Sequence, residues 1–210
     1  MEDHPAVKAP TSDVVVLDAF LEPELHEALL AHALAQSGST EPTRVYGGGA
    51  RTVDPTSRVA DLCTHGLGAL AGPFVERIMA RFEAIVGALG IRPFPVAEAQ
   101  LEMVAHNDGA MFSRHIDTLT EENRPFGASD RIVSLVYYFH RQPKAFSGGE
   151  LEVFPILGGT STLIEPLDNR LIAFPSELPH EVLPVSCPSR AFEDSRFAVN
   201  VWLGRPRKRA

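Results

Sequence analysis

Arg114-His115-Ile116-Asp117, taken with the distant run Leu178-Pro179-His180-Glu181-Val182, decides how this sequence is read. In a β-strand, residues i and i+2 project to one face. A strand through Phe112 to Asp117 therefore sets the His115 imidazole beside the Asp117 carboxylate and turns Ile116 away. If His180 opens a strand folded against the first, the three side chains form a two-histidine, one-carboxylate face. That donor set suits non-haem Fe(II) and leaves coordination positions open. An isolated H-x-D is a short pattern that also occurs on ordinary strands, so the reading depends on what surrounds it.

Outward from that stretch the chain divides by texture. Short β-type runs separated by Gly, Pro, Asn and Asp fill the second half: residues 97–105, 112–117, 131–140, 149–154, 160–164, 170–174, 180–185 and 196–203. Strands spaced this way without intervening helices predict an antiparallel sandwich or jelly roll. In the first half, Phe74, Val75, Ile78, Phe82, Ile85, Val86 and Leu89 recur at three- and four-residue steps. This predicts one helix from Gly72 to Leu89, ended by Gly90 and covering one face of a sheet. Leu25, Leu29, Leu30 and Ala33 predict another helix between Glu22 and Gln36, with Pro23 in its first turn, after a strand within Asp13–Asp18. Residues 37–57 read as an irregular loop, and Gly47-Gly48-Gly49 lacks the following Lys-Ser/Thr and helix of a phosphate cradle. The class is α+β, expected as one domain over 1–210 with a mobile lead-in at 1–11, a β core at 95–203 and a solvated basic tail at 204–210.

Composition narrows the function. A chain of 210 residues with 44% hydrophobic content can bury a substantial core. A formal net charge of -8 argues against a nucleic-acid partner, which calls for a basic surface. Cys63 and Cys187 are too few for a disulfide framework and form no C-x-x-C, so two free thiols in a reducing compartment are expected. The first residues lack a basic start and an apolar run, and no stretch approaches the length of a membrane span. Cytoplasm is the expected compartment, with a monomer or weak homodimer and no membrane partner.

Further signals keep a fixed order around the triad. Gly148-Gly149-Glu150-Leu151-Glu152-Val153-Phe154-Pro155 gives a turn and then an alternating strand. In Arg131-Ile-Val-Ser-Leu-Val-Tyr-Tyr-Phe, one face carries Ile132, Ser134, Val136 and Tyr138, with Tyr137 facing away. In Arg196-Phe-Ala-Val-Asn-Val-Trp, one face carries Arg196, Ala198, Asn200 and Trp202. A guanidinium on an inward face needs an anionic partner, and a dicarboxylate ligand can supply one bidentately.

Together these residues, from about Glu98 to Leu203, resemble the prolyl hydroxylase branch of the 2-oxoglutarate and Fe(II)-dependent dioxygenases. The motifs that carry the likeness are His115-x-Asp117, Arg131-x-x-Ser134-x-x-Tyr137-Tyr138, Gly148-Gly149-Glu150-Leu151-x-x-Phe154-Pro155, His180-Glu181-Val182-x-Pro184, and Arg196 six residues before Trp202. The resemblance implies a double-stranded β-helix (jelly roll) core with N-terminal helices packed on one sheet. It also implies that His115, Asp117 and His180 hold Fe(II), and that Arg196 and Tyr138 bind the distal carboxylate of 2-oxoglutarate. Asn200 and Trp202 would line the co-substrate pocket, O2 would be the second co-substrate, and ascorbate the reductant. The implied reaction is hydroxylation of an unactivated C–H bond with release of succinate and CO2. The candidate substrates are free proline, a prolyl residue of a peptide or a related small molecule. A non-catalytic 2-oxoglutarate or metal sensor of the same fold is the alternative.

Two features depart from the family pattern. Related members often carry tyrosine about nine residues before the first ligand, where this chain has His106, which reads equally as a structural histidine or a pocket residue. The stretch from His180 to Arg196 is longer than in compact members, which makes Arg190 a competitor for the carboxylate. Arg196 is favoured by its β-type run. Arg131 is expected to brace the site, and residues 118–130, with Pro125 and Gly127, to form a substrate-covering loop.

Overall fold

The computed structural model describes residues 13–47, 49–124 and 128–207. Residues 1–11, Gly48, Pro125, Gly127 and Lys208–Ala210 lie outside these, so the readings placed on them concern residues that are not described. In chain order, the first part comprises β1 (Val15–Leu17), α1 (Pro23–Leu34), β2 (Thr40–Pro42), β3 (Val45–Gly47), β4 (Ala50–Thr52), β5 (Arg58–Val59) and β6 (Asp61–Cys63). Helices α2 (Ala71–Met79) and α3 (Phe82–Ala88) follow. The β-rich part begins with β7 (Glu98–His106), β8 (Met111–His115), β9 (Asp130–Phe139), β10 (Ser147–Gly148) and β11 (Leu151–Val153). It ends with β12 (Thr162–Ile164), β13 (Arg170–Pro175), β14 (His180–Val182), β15 (Val185–Ser186) and β16 (Arg196–Arg205).

A seven-stranded sheet runs β1-β13-β9-β16-β7-β6-β2 and a five-stranded sheet runs β12-β11-β14-β8-β5, with antiparallel pairing throughout both. The two-residue period of the long central strands explains the layers. Tyr137 and Phe139 of β9, Phe197, Val199 and Val201 of β16 and Leu171 of β13 pack with Leu29, Phe74, Ile78 and Ile85 of the helices. Their sequence neighbours Tyr138, Ala198, Ile172 and Phe174 instead meet Leu151, Val153, Ile164 and Val182 of the smaller sheet. Both faces of β9, β13 and β16 are therefore buried, one under helices and one under strands. The jelly roll with helices on one sheet is as the sequence predicts.

Four boundaries differ from the sequence reading. The Gly72–Leu89 stripe divides into α2 and α3, because the Arg81 N–H bonds back to Ile78 O and closes a tighter turn. The apolar residues of both pieces still enter one core. Gly90 ends α3 as predicted, with φ +69 and the paired bonds Gly90 N–H to Gly87 O and Ile91 N–H to Val86 O. The 37–57 segment is not a simple loop: β2 extends the larger sheet, and β3 with β4 forms a separate hairpin. The 180–185 run divides at Leu183-Pro184, where proline has no N–H for a ladder, so β14 stays in the five-stranded sheet and β15 pairs with β10.

The fourth correction concerns the tail. Its first residues continue β16 through Arg205, opposite Asp130. Arg207 then donates to Arg124 O at 2.7 Å and lies 3.4 Å from the Asp130 carboxylate, so this part is anchored rather than solvated. Among the described residues no helix is long and apolar enough to cross a membrane.

Candidate functional site

His115 is the last residue of β8 and His180 the first of β14, and the two stand directly opposite in the antiparallel register. Asp117 is not on the strand as expected. The chain leaves the ladder after His115, and the Asp117 and Thr118 amides both bond to Ser176 O, at 2.9 and 3.1 Å, in the turn after β13. That detour still returns the carboxylate to the histidines. One ligand atom from each of His115, Asp117 and His180 lies within 4.8 Å of the others. Asp117 Oδ1 is 3.7 Å from His115 Nε2, and Oδ2 is 3.5 Å from His180 Nε2.

Hydrogen bonds decide which imidazole nitrogen is free. His115 Nδ1 is 2.9 Å from Ser113 O and His180 Nδ1 is 2.9 Å from Leu178 O. A carbonyl can only accept, so both Nδ1 atoms carry a proton and both Nε2 atoms are turned to the carboxylate. Burial pushes the His115 pKa down to about 3, with the His180 charge acting in the same direction, so the ring is neutral at pH 7. Burial alone would raise the Asp117 carboxyl, but His180, His115, the Ser134 hydroxyl and the Trp202 indole together hold it below the usual carboxylate range. The Ser134 hydroxyl donates to Asp117 Oδ2 at 2.6 Å and is 2.9 Å from Ser176 Oγ. Two imidazoles whose Nε2 atoms face one carboxylate form a donor set that fits a divalent metal.

The same cavity extends past the triad to His106, Tyr138, Arg196, Asn200 and Trp202. Strand alternation puts all five on the inner face, and β16 pairs Arg196 with His106 on β7 and Ala198 with Tyr138 on β9. Arg196 is 1% exposed, with its guanidinium 4.7 Å from the Tyr138 ring centroid. Among the described residues, Arg196 Nε and Nη1, Tyr138 Oη and His106 Nδ1 are buried with no hydrogen-bond partner. Burial pushes the Arg196 pKa down, opposed by Tyr138 and Glu150, and pushes the Tyr138 phenol up against the Arg196 charge. Burial, with Arg196 and Arg58 adding to it, holds His106 well below its ordinary value and therefore neutral. An uncompensated buried cation costs about 3–5 kcal/mol, so this end of the cavity fits an anionic group. The Gly148-Gly149 turn permits it: Gly149 has φ +74, and a Cβ there would lie 2.9 Å from Arg196 Cδ and 2.8 Å from Val185 Cγ2.

Other expected residues fall elsewhere. Arg190 lies outside the cavity, its side chain 79% exposed and paired with Asp108 at 3.0 Å. Arg131 braces the site, with Nε and Nη2 on Gln100 Oε1 at 2.9 and 2.7 Å and the guanidinium 4.0 Å from the Trp202 ring. The sequence reading missed Arg58 and Phe112, which line both this cavity and an outer cleft of about 500 Å³ reaching Tyr46 and Thr118–Thr120. Arg58 lies on a two-residue strand with no periodic signal, whereas Phe112 begins the predicted triad strand and was given no role there. A larger concavity of about 1140 Å³ lies beside the cleft, sharing Thr118–Thr120 and Arg131 with it, but contains none of the triad.

The family model of the 2OG-Fe(II) oxygenase superfamily matches residues 100–204, the part of the chain that carries the triad and the Arg196 pocket. The chain belongs to that superfamily. This oxygenase chain is also 40% identical over 143 residues to an uncharacterised PKHD-type hydroxylase of Synechocystis sp., covering 64% of this chain and 46% of the relative. It thus spans about half the length of that curated relative. A Pseudomonas putida prolyl-4-hydroxylase superposes with a TM-score of 0.66 at 23% identity, covering 92% of each chain. A Trichoplax adhaerens prolyl hydroxylase, solved with a hypoxia inducible factor peptide fragment, gives 0.63 at 19% identity over 91% of this chain and 83% of that one. At these identities the structural likeness is one of fold.

Proposed function

We propose that this chain is an Fe(II)- and 2-oxoglutarate-dependent hydroxylase acting on an unactivated C–H bond of proline, a prolyl residue or a related small molecule. The observation that carries the reading is Arg196: a fully buried guanidinium without an anion, in the cavity that also holds the His115, Asp117 and His180 donors. Fe(II) with 2-oxoglutarate and O2 supplies the oxidising chemistry, converting 2-oxoglutarate to succinate and CO2 while one oxygen atom enters the substrate C–H bond.

The residues divide the remaining work. His115 and His180 present Nε2 to the metal, and Ser134 orients the Asp117 carboxylate that completes the set. Arg196 takes the distal carboxylate of 2-oxoglutarate and the Tyr138 phenol donates a hydrogen bond to it, satisfying atoms otherwise left unpaired. His106, Asn200 and Trp202 wall that pocket and exclude water. The outer cleft, with Tyr46, Arg131 and Thr118–Thr120, receives the substrate. Ascorbate would serve as reductant for enzyme that turns over without substrate. Mass spectrometry of proline, prolyl peptides and metabolite pools incubated with enzyme, Fe(II) and 2-oxoglutarate tests the proposal. A product heavier by one oxygen, formed only with 2-oxoglutarate present, is expected, and succinate release with no oxygenated product from any pool would remove the hydroxylase assignment.

A further inference from the structure

The two histidines of the triad are held differently. His180 sits within the five-stranded sheet, 5% exposed at the side chain and edge-on to the Phe174 ring at 4.7 Å. His115 closes its strand at a point where the chain departs, and its side chain is 20% exposed. One hydrogen bond, Nδ1 to Ser113 O, fixes a point on that ring but leaves rotation about it to packing. Two rings pack on it: His180, tilted by 57° with 4.2 Å between centroids, and Phe112, whose ring lies nearly parallel to the imidazole, 17° between planes and 3.5 Å between centroids.

Phe112 is in turn fixed by Arg58, whose guanidinium carbon lies 4.9 Å from the Phe112 ring centroid. The two residues are directly paired across β5 and β8. Arg58 is 7% exposed, so its position is set by its own contacts. Nη2 donates to Glu102 at 3.2 Å and Nη1 to Arg44 O at 3.4 Å. The strand that carries it starts from a turn closed by Asp54, which accepts from the Thr56 amide and hydroxyl and the Ser57 hydroxyl, while the Arg58 amide bonds to Asp54 O. This two-residue strand is the only part of β5, and it brings a buried cation to the ring that covers a metal-binding imidazole.

We propose that Arg58 is a positioning residue for the metal site, holding the His115 imidazole in its ligating orientation through the Phe112 ring. The inference rests on the metal assignment of the triad made above. It predicts an effect opposite in sign to a simple charge effect. Removing a cation near a dication site favours metal binding by Coulomb's law, whereas losing a prop for a ligand weakens it.

The test is anaerobic titration of the purified protein with Mn(II) alone, without 2-oxoglutarate. Arg58→Met keeps the apolar stem and removes the guanidinium. Its Mn(II) dissociation constant should rise about tenfold to a hundredfold, the range for losing a group that orients a metal ligand. Phe112→Leu should show a similar rise, the double variant should be no weaker than Phe112→Leu alone, and Arg58→Lys should recover part of the loss. Tighter or unchanged Mn(II) binding in Arg58→Met, or additive losses in the double variant, would overturn the proposal. Melting curves of the metal-free variants separate general destabilisation: a lower melting temperature with an unchanged Mn(II) constant assigns Arg58 to the fold alone and also overturns it. His115→Ala serves as the reference. If it binds Mn(II) as well as the parent does, the triad assignment fails rather than the role of Arg58.

Discussion

Around the His115, Asp117 and His180 triad the supporting bonds are made within the chain: His115 and His180 each give Nδ1–H to a carbonyl, and Asp117 receives the Ser134 hydroxyl. At the other end of the same cavity, Arg196, Tyr138 and His106 hold buried polar atoms with no partner among the described residues. Both ends line one cavity, the triad from β8, β14 and the segment after β8, the other end from β7, β9 and β16. On the proposed reading, the contrast separates a part whose geometry the protein fixes in advance from a part completed by a ligand carrying its own charge. Folding leaves a guanidinium unpaired in such a place only at a cost of several kcal/mol, which binding an anion can recover.

The strongest way to break the contrast is at the metal end. His180→Ala removes a donor that no neighbour replaces, so Fe(II)-dependent succinate formation should fall to background while circular dichroism stays close to the parent. Full activity would remove His180 from the ligand set.

Next comes the anion end. If Arg196 holds the distal carboxylate of 2-oxoglutarate as proposed, Arg196→Leu leaves that group without its partner, a loss of roughly 3–5 kcal/mol. At 1.4 kcal/mol per factor of ten, the 2-oxoglutarate constant should rise by about two to three orders of magnitude. The Mn(II) constant, measured separately, should hardly change. A parallel loss of both would mean that the two ends are one unit and the contrast is false.

A smaller effect sharpens the metal end: Ser134→Ala deletes the donor to Asp117 Oδ2 and should weaken Mn(II) binding about tenfold to a hundredfold, leaving 2-oxoglutarate affinity of the metal-loaded protein within a few-fold. The smallest effect is expected from Arg190→Leu. Its exposed, solvent-screened pair with Asp108 contributes little, so the 2-oxoglutarate constant should stay within a few-fold of the parent. A hundredfold rise there, with Arg196 tolerant, would reverse the assignment of the two arginines.

The parts of this site that the sequence made legible are those on long strands. The alternation in Arg131–Phe139 and Arg196–Trp202 separates Tyr138 from Tyr137 and sets Arg196, Asn200 and Trp202 on one face, because a two-residue period repeats often enough to be seen. His106 and Glu102 share the inner face of β7 by the same rule, a signal that was available for Glu102 and not used. Arg58 was not legible. A two-residue strand has no period, and its neighbours Asp54, Thr56 and Ser57 read as loop because they do form a turn, one that happens to launch a strand. The exit of Asp117 from β8 was hidden for a similar reason: i and i+2 share a face on a strand, but where the strand stops depends on Ser176, about 60 residues later, whose carbonyl captures two amides. The break between α2 and α3 carries no glycine or proline at Ala80-Arg81, so composition gave no warning of it.

The central claim is that the triad and Arg196 together bind Fe(II) and 2-oxoglutarate for reaction with O2. It is tested most directly by adding Fe(II) and 2-oxoglutarate to the metal-free protein without oxygen, recording the visible spectrum, and then admitting oxygen and measuring succinate. The account predicts a weak visible charge-transfer band that requires both additions, is absent in His180→Ala, and decays on oxygenation as succinate forms, slowly even without substrate. A band that persists in oxygen with no succinate would contradict the oxygenase reading and leave a binding module in its place, and no band at saturating additions would contradict the site itself.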